Sequence, residues 1–177
     1  MADGELMELA RDLDRCCRLH GEFVLRSGQT SDQYFDKYLF ESDPKLLQRV
    51  VERMVDRIPP GTQMLGGLEL GGIPLATMLS HRSGLPTLFV RKHAKEYGTR
   101  RLAEGGDPAQ RVVALVEDVI TTGGAVRAAA NALRAMGATV THVLCAIDRS
   151  GADDPLGDAG ITVGSVVTKE LLDSVAP

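Results

Sequence analysis

Residues 113–125 read VALVEDVITTGGA. An apolar run meets two adjacent acids, Glu117 and Asp118, and Thr121-Thr122-Gly123-Gly124 follow before an Ala-rich helical pattern. Such a run predicts a buried strand over 111–117. In an open parallel sheet, ligands sit beyond the carboxyl ends of the strands, which is where this reading puts the two carboxylates. The turn behind them offers backbone N–H groups and two hydroxyls at a helix N-terminus, a ready anion site. Carboxylates that accept from hydroxyls, next to amides that hold an anion, suit a sugar phosphate. A solvated acidic turn ahead of a helix is the other reading of the same residues.

The pattern on either side supports the strand. Leu6, Leu9, Ala10, Leu13, Cys16 and Cys17 recur at helical spacing, so a helix opens the chain. FVL and YFD, at 23–25 and 34–36, read as short strands around a polar turn. Asp43-Pro44 is an N-cap with a proline at the first helical position, and Leu46, Leu47, Val50, Val51, Met54 and Val55 form the stripe behind it. Strand-like MLGGL precedes a Gly71-Gly72 turn and a helix from about Pro74 to His81. TLFV (87–90) is followed by a charged stretch, 91–109, without an apolar face. After the acids, Val126, Ala129, Ala130, Leu133 and Met136 share one helix side, which Gly137 ends. TVTHVLCAI (139–147), ITVGSVV and a short terminal helix complete the chain. Strands alternating with helices predict an α/β fold: an open, mostly parallel sheet with helices on both faces.

The 177 residues suffice for one domain with a sizeable core. Aromatics are scarce at 4%, so the core must rest on Leu, Val, Ile and Ala. A net charge of −4 argues against a nucleic-acid partner. Cys16, Cys17 and Cys145 make an odd count, which suits a reducing compartment better than a disulfide framework. The acidic, amphipathic start does not read as a signal peptide, and no apolar run approaches the roughly 20 residues a bilayer requires. These features predict a cytoplasmic protein without a membrane partner. No Cys/His spacing suggests a metal site.

Neither a nucleotide P-loop nor a dinucleotide fingerprint is present. The acidic segment instead resembles the phosphoribosyl pyrophosphate (PRPP) motif of type I phosphoribosyltransferases. GEFVLRSGQTSDQYFD is similar to the N-terminal signature of the orotate phosphoribosyltransferases, LELGGIPLA to their pyrophosphate loop, and RKHAKEYGTRRLAEG to their mobile catalytic loop. The resemblance runs from about residue 20 to residue 150. It implies the type I fold as a single domain over 1–177, with residues 1–40 as a hood over the base. It implies transfer of ribose 5-phosphate from PRPP to orotate with Mg²⁺ as cofactor, the ion bridging pyrophosphate and ribose oxygens mostly through ligand and water. A homodimer is implied too, because the family's loop reaches into the neighbouring subunit's site. A purine phosphoribosyltransferase and a PRPP-sensing regulator on the same fold are the alternatives.

Residue by residue, the resemblance gives Glu117 and Asp118 the ribose hydroxyls, and Thr121, Thr122, Gly123, Gly124 and Ala125 the 5-phosphate. Arg91, Lys92, Lys95 and Tyr97 join the PRPP contacts, with Lys95 and Asp118 as the catalytic pair. Gly71 and Gly72 contribute backbone amides to pyrophosphate, Gly71 standing where some relatives carry a lysine. Tyr97 stands where some carry a histidine, and Arg26 where many carry a lysine. Arg26, Tyr34, Phe35, Thr121 and Arg149 are implied around orotate, with Arg149 facing its carboxylate, although Phe35 reads equally as core. The basic loop also makes chemical sense by itself: Arg91, Lys92, Lys95, Arg100 and Arg101 lie within eleven residues. Cations there would stabilise a departing pyrophosphate, and a closing loop would exclude water. His93 is read as solvent-exposed.

Overall fold

Helix α1 (Ala2–Cys17) is followed by β1 (Arg18–Val24), β2 (Thr30–Phe35), α2 (Tyr38–Ser42) and α3 (Pro44–Val55). The alternating part comprises β3 (Met64–Leu68), α4 (Gly72–Ser83), β4 (Thr87–Val90), β5 (Ala103–Glu104), β6 (Val112–Ile120), α5 (Gly124–Ala135), β7 (Thr139–Asp148), β8 (Thr162–Thr168) and α6 (Lys169–Val175). The structure is a computed structural model and describes residues 2–25, 28–93 and 102–176.

The main sheet has the order β5-β4-β3-β6-β7-β8, and every pairing in it is parallel except β4 with β5. The expected parallel α/β sheet is therefore present. The chain steps outward from β3 to β4, then returns to the other side of β3 as β6. Their connections leave on opposite faces: α4 packs with α1 and α3 in one core layer, α5 in the other. The crevice between the ends of β3 and β6 is thus the topological switch point, where such sheets bind ligands.

Sequence periodicity accounts for most elements. On α3, Leu46, Leu47, Val50, Val51 and Met54 are buried, and Asp43 caps the helix by accepting from the Lys45 and Leu46 amides. Each such side chain, fully buried, contributes about 1.5–3 kcal/mol. On α5, Val126, Ala129, Ala130 and Leu133 face the core, but Met136 is exposed because it lies past the last helical residue, at the cap. The helix expected from Pro74 begins earlier, at Gly72. Within the charged 91–109 stretch, β5 adds a two-residue edge strand against β4.

Within residues 1–40, α1 does not stand apart. Leu9, Ala10, Leu13 and Cys17 are buried in the layer that holds α3 and α4. The β1–β2 hairpin forms its own two-stranded sheet. Arg18 fastens it to α1 by donating to the buried Asp14 at 2.8 Å and to Gln33 at 3.0 Å.

The start of α4 meets β6 through glycine. A Cβ on Gly72 would stand 2.3 Å from the Val116 carbonyl oxygen, which is backbone and cannot turn aside. Gly72→Ala is expected to destabilise the protein by about 1–3 kcal/mol, the usual cost of overpacking. Gly4→Ala, in open space on α1, is expected to be neutral or slightly stabilising. Denaturant midpoints of the two variants check this pair of outcomes.

Candidate active site

The acid pair sits where two neighbouring strands differ in length. Pairing with β3 stops at Val116, opposite Gly67, so Glu117 and Asp118 lie past the last residue of β6 that this strand holds. Pairing with β7 continues through Ile120, opposite Asp148. The strand expected to end at residue 117 therefore runs three residues further, with the acids inside its last turn of pleat. Both are buried, Glu117 to 8% exposure and Asp118 to 0%.

Two helix N-termini converge on this edge. Both α4 and α5 start from a glycine, Gly71 and Gly123, and neither has a side-chain cap. By contrast, Asp43 caps α3 and Thr168 caps α6. An uncapped first turn leaves N–H donors, and the helix dipole, free for an anion. Gly123 takes φ +71, and Arg127 braces the turn by donating to the Thr122 carbonyl at 2.7 Å and the Pro155 carbonyl at 2.8 Å. The resulting cleft, about 280 Å³, is lined by Lys37, Tyr38, Glu69, Leu70, Lys92 and residues 117–126.

Of the residues singled out in the sequence, Lys92, Glu117, Asp118, Thr121, Thr122, Gly123, Gly124 and Ala125 come together in this cleft. Gly71 borders it from below: a Cβ there would stand 1.7 Å from Asp118 Oδ2 and 2.6 Å from Glu41 Oε1. Arg91 and Lys92 also line an adjoining, mostly apolar cavity of about 120 Å³ with Leu68, Val90 and Leu102. The Lys92 amide donates to Glu69 at 2.9 Å, which ties the ends of β3 and β4 together. Arg26, Lys95 and Tyr97 lie outside the described residues. His93 is exposed.

Arg149 follows β7, its amide donating to the Ile120 carbonyl at 2.8 Å, so it stands beside Thr121. Its half-buried guanidinium lies 4.9 Å from the Phe35 ring centroid, a cation–π contact. Burial, then the nearby Arg18, pulls its pKa below the ordinary arginine value. Phe35 is also packed against the core. Tyr34 does not accompany it. Neighbours on a strand point to opposite faces, and Tyr34 pairs instead with Phe23 at 5.5 Å. The aromatic pair expected around one pocket is split between two surfaces.

Lys37, Glu41, Glu69 and Arg127 were not singled out in the sequence. Lys37 Nζ reaches Asp118 Oδ2 at 2.5 Å. Burial would raise the Asp118 pKa, but hydrogen bonding with Glu117 and Glu41 and the Lys37 ammonium outweigh it and hold the carboxyl below its usual value. The two glutamates go the other way. Burial, then the Asp118 carboxylate, pushes Glu41 up to about 8 and Glu117 up to about 9. The free site is therefore one carboxylate, two carboxylic acids and one ammonium near neutral pH.

The family model described as phosphoribosyl transferase domain matches residues 46–164. An orotate phosphoribosyltransferase of Nocardioides sp. is 62% identical over 167 residues, 94% of this chain and 93% of the relative. Among solved structures, the Mycobacterium tuberculosis orotate phosphoribosyltransferase in complex with Fe(III) dicitrate superposes with a TM-score of 0.82 at 29% identity, covering 95% of this chain and 98% of that one. A structure of the same enzyme in complex with PRPP gives a TM-score of 0.79 at 26% identity, covering 96% and 99%. Fold and crevice define a type I phosphoribosyltransferase. The chain belongs to the orotate phosphoribosyltransferase family.

The raised glutamate pKa values have a consequence for stability. Each carboxyl binds its proton more tightly folded than unfolded, where its ordinary value is 4.5. Their stabilisation is complete below that value and is lost as pH rises through about 8 for Glu41 and about 9 for Glu117. The unfolding midpoint of the ligand-free protein is expected to fall from pH 5 to pH 9, and Glu117→Gln, neutral throughout, is expected to flatten the upper part of that fall. Thermal scans across the range check it.

Proposed function

We propose that this chain transfers ribose 5-phosphate from PRPP to the ring nitrogen of orotate, releasing pyrophosphate and forming orotidine 5′-monophosphate, with the acid pair as the sugar site. The observation that carries the residue roles is the placement of Glu117 and Asp118 between two uncapped helix N-termini. An anionic ligand with hydroxyls in its middle and phosphates at its ends matches that order of donors and acceptors. The 121–125 turn takes the 5-phosphate. The Gly71-Gly72 amides, with Arg91 and Lys92, take pyrophosphate. Arg149, whose planar fork suits a carboxylate, takes orotate with Phe35 against its flank.

In the reaction, the bond from the anomeric carbon to pyrophosphate breaks as the carbon–nitrogen bond to the base forms. Pyrophosphate leaves with the electron pair of the broken bond and can take up the proton that the ring nitrogen gives up. Positive charge develops on the sugar and negative charge on the leaving group. The tasks left to the chain are to hold the two reactants in line, stabilise the departing anion and exclude water. Lys95 is proposed to serve the leaving group, and Tyr97 and Arg26 to complete the PRPP and orotate contacts.

Mg²⁺ fits this site as an ion that arrives on its substrate. Among the described residues no three His, Cys, Asp or Glu groups are placed to hold a metal, and Mg²⁺ keeps several waters and takes few protein ligands. When bound, it would offset charge on the pyrophosphate oxygens. We place the protein in the cytoplasm: its three cysteines are free, two of them buried, which fits a reducing compartment. Among the described residues no helix is long and apolar enough to cross a membrane.

Two variants separate the roles. Asp118→Asn is expected to lower kcat/KM for PRPP by roughly 10- to 1000-fold, the range for a lost charge-assisted contact. Arg149→Ala is expected to raise KM for orotate and leave KM for PRPP nearly unchanged. Wild-type PRPP kinetics in a folded Asp118→Asn protein would reject the sugar site, and equal loss of both substrates in Arg149→Ala would make that arginine structural.

The proposed active unit is a homodimer in which Lys95 acts in the neighbouring subunit's site. Mixing the impaired Lys95→Ala and Asp118→Asn chains is then expected to raise activity above that of either alone, because each hybrid dimer holds one site with both defects and one with neither. Random exchange makes about half the dimers hybrid, so roughly a quarter of wild-type activity should return. No recovery after verified exchange would place Lys95 in its own chain's site.

A further inference from the structure

Lys37 has no part in the roles above, yet it is the cation that touches the acid pair. It immediately precedes α2, two residues after Phe35 and four before Glu41. One short corner therefore brings an aromatic ring to Arg149, and both an ammonium and a carboxyl to Asp118. The space it fills exists because Gly71 has no side chain. Asp118 Oδ2 and Glu41 Oε1 both lie where a Cβ of residue 71 would stand, so residue 71 itself brings no cation to this point. Lys37 enters from the opposite wall and lines the cleft with Lys92 and the 121–125 turn.

We propose that Lys37 is a positioning residue for the transfer reaction: from the β2–α2 corner it holds Asp118 as a carboxylate, ready to accept from the ribose hydroxyls. The proposal rests on Asp118 being the ribose acid. Without the ammonium, Asp118 would share a buried pocket with two other carboxyls and no counter-charge, and such groups hold their protons. Glu117 from β6 and Glu41 from α2 face Asp118 directly. Asp36 and Tyr38 flank Lys37, Glu69 and Lys92 border the cleft from the β3 and β4 ends, and the Cys145 thiol lies behind the pair on β7. Of these groups, Lys37 is the one paired with Asp118 as an ion pair.

The Lys37 side chain is about one-third exposed, so the ammonium can leave Asp118 when a sugar arrives without disturbing the core. Held as an anion until then, Asp118 accepts two hydroxyl hydrogens at once. As an acid it would spend one oxygen on its own proton.

The test is the pH dependence of kcat/KM for PRPP in Lys37→Met, which keeps the stem and removes the charge, and in Lys37→Arg, which keeps the charge. An opposite charge this close typically lowers a carboxyl pKa by about 1–3 units. The acidic limb is therefore expected to move up by about that amount in Lys37→Met and to stay near the wild-type position in Lys37→Arg, with KM for orotate unchanged in both. Lys37→Gln gives the same reading should the methionine variant not fold. A limb at the wild-type pH in the neutral variant, or a loss of PRPP use by the same factor at every pH, would overturn the role. Asp118→Asn in the same assay separates the two ideas: if it retains wild-type PRPP kinetics, the ribose reading itself fails.

Discussion

Everything at the crevice depends on one close approach, the start of α4 against Val116, the last residue of β6 that pairs with β3. Gly72 lies so near the Val116 carbonyl that a methyl group would collide with it. The same approach brings the bare Gly71 under Asp118. Were α4 to stand further off, the acid pair would open to water. Buried, it must instead resolve its own charge, because isolated ionised carboxyls are too costly to place out of solvent.

The resolution is unequal sharing. Asp118 keeps the negative charge with Lys37 beside it, while Glu117 and Glu41 retain protons into the alkaline range. Three carboxyls and one ammonium then carry no net charge near neutrality, in a cleft otherwise lined by amides, hydroxyls and Lys92. That balance explains how a strand end can carry two adjacent acids without unfolding the sheet around them. It also leaves acceptors at the centre of the cleft and donors at its two edges, an order that fits a sugar bearing phosphates at both ends. Arg149 stands apart from this cluster, on the β7 side of Thr121, where a second ligand can lie beside the sugar.

Much of this was legible in the sequence, for local reasons. Apolar runs marked β3, β6 and β7, helical stripes marked α1, α3 and α5, and Asp43-Pro44 marked a helix start. Thr and Gly after two acids marked the anion turn. What stayed hidden was set by partners far along the chain. β6 extends to Ile120 because β7 continues beside it. Met136 fits the helical stripe yet lies beyond the helix end. Tyr34 and Phe35 are adjacent letters but opposite faces. Lys37 and Glu41 carry no local signature, since their meaning comes from Asp118, about eighty residues away. A lysine near an aromatic strand and a glutamate on a five-residue helix read as ordinary surface until the fold brings them to one carboxyl group.

The most direct measurement is a crystal structure of this chain with PRPP bound. The account predicts ribose hydroxyl oxygens within about 2.5–3.0 Å of the Glu117 carboxyl and the Asp118 carboxylate, the 5-phosphate within the 121–125 turn, and the Lys37 ammonium moved off Asp118. A ligand whose ribose faces away from both acids, with Lys37 still paired to Asp118, would contradict it.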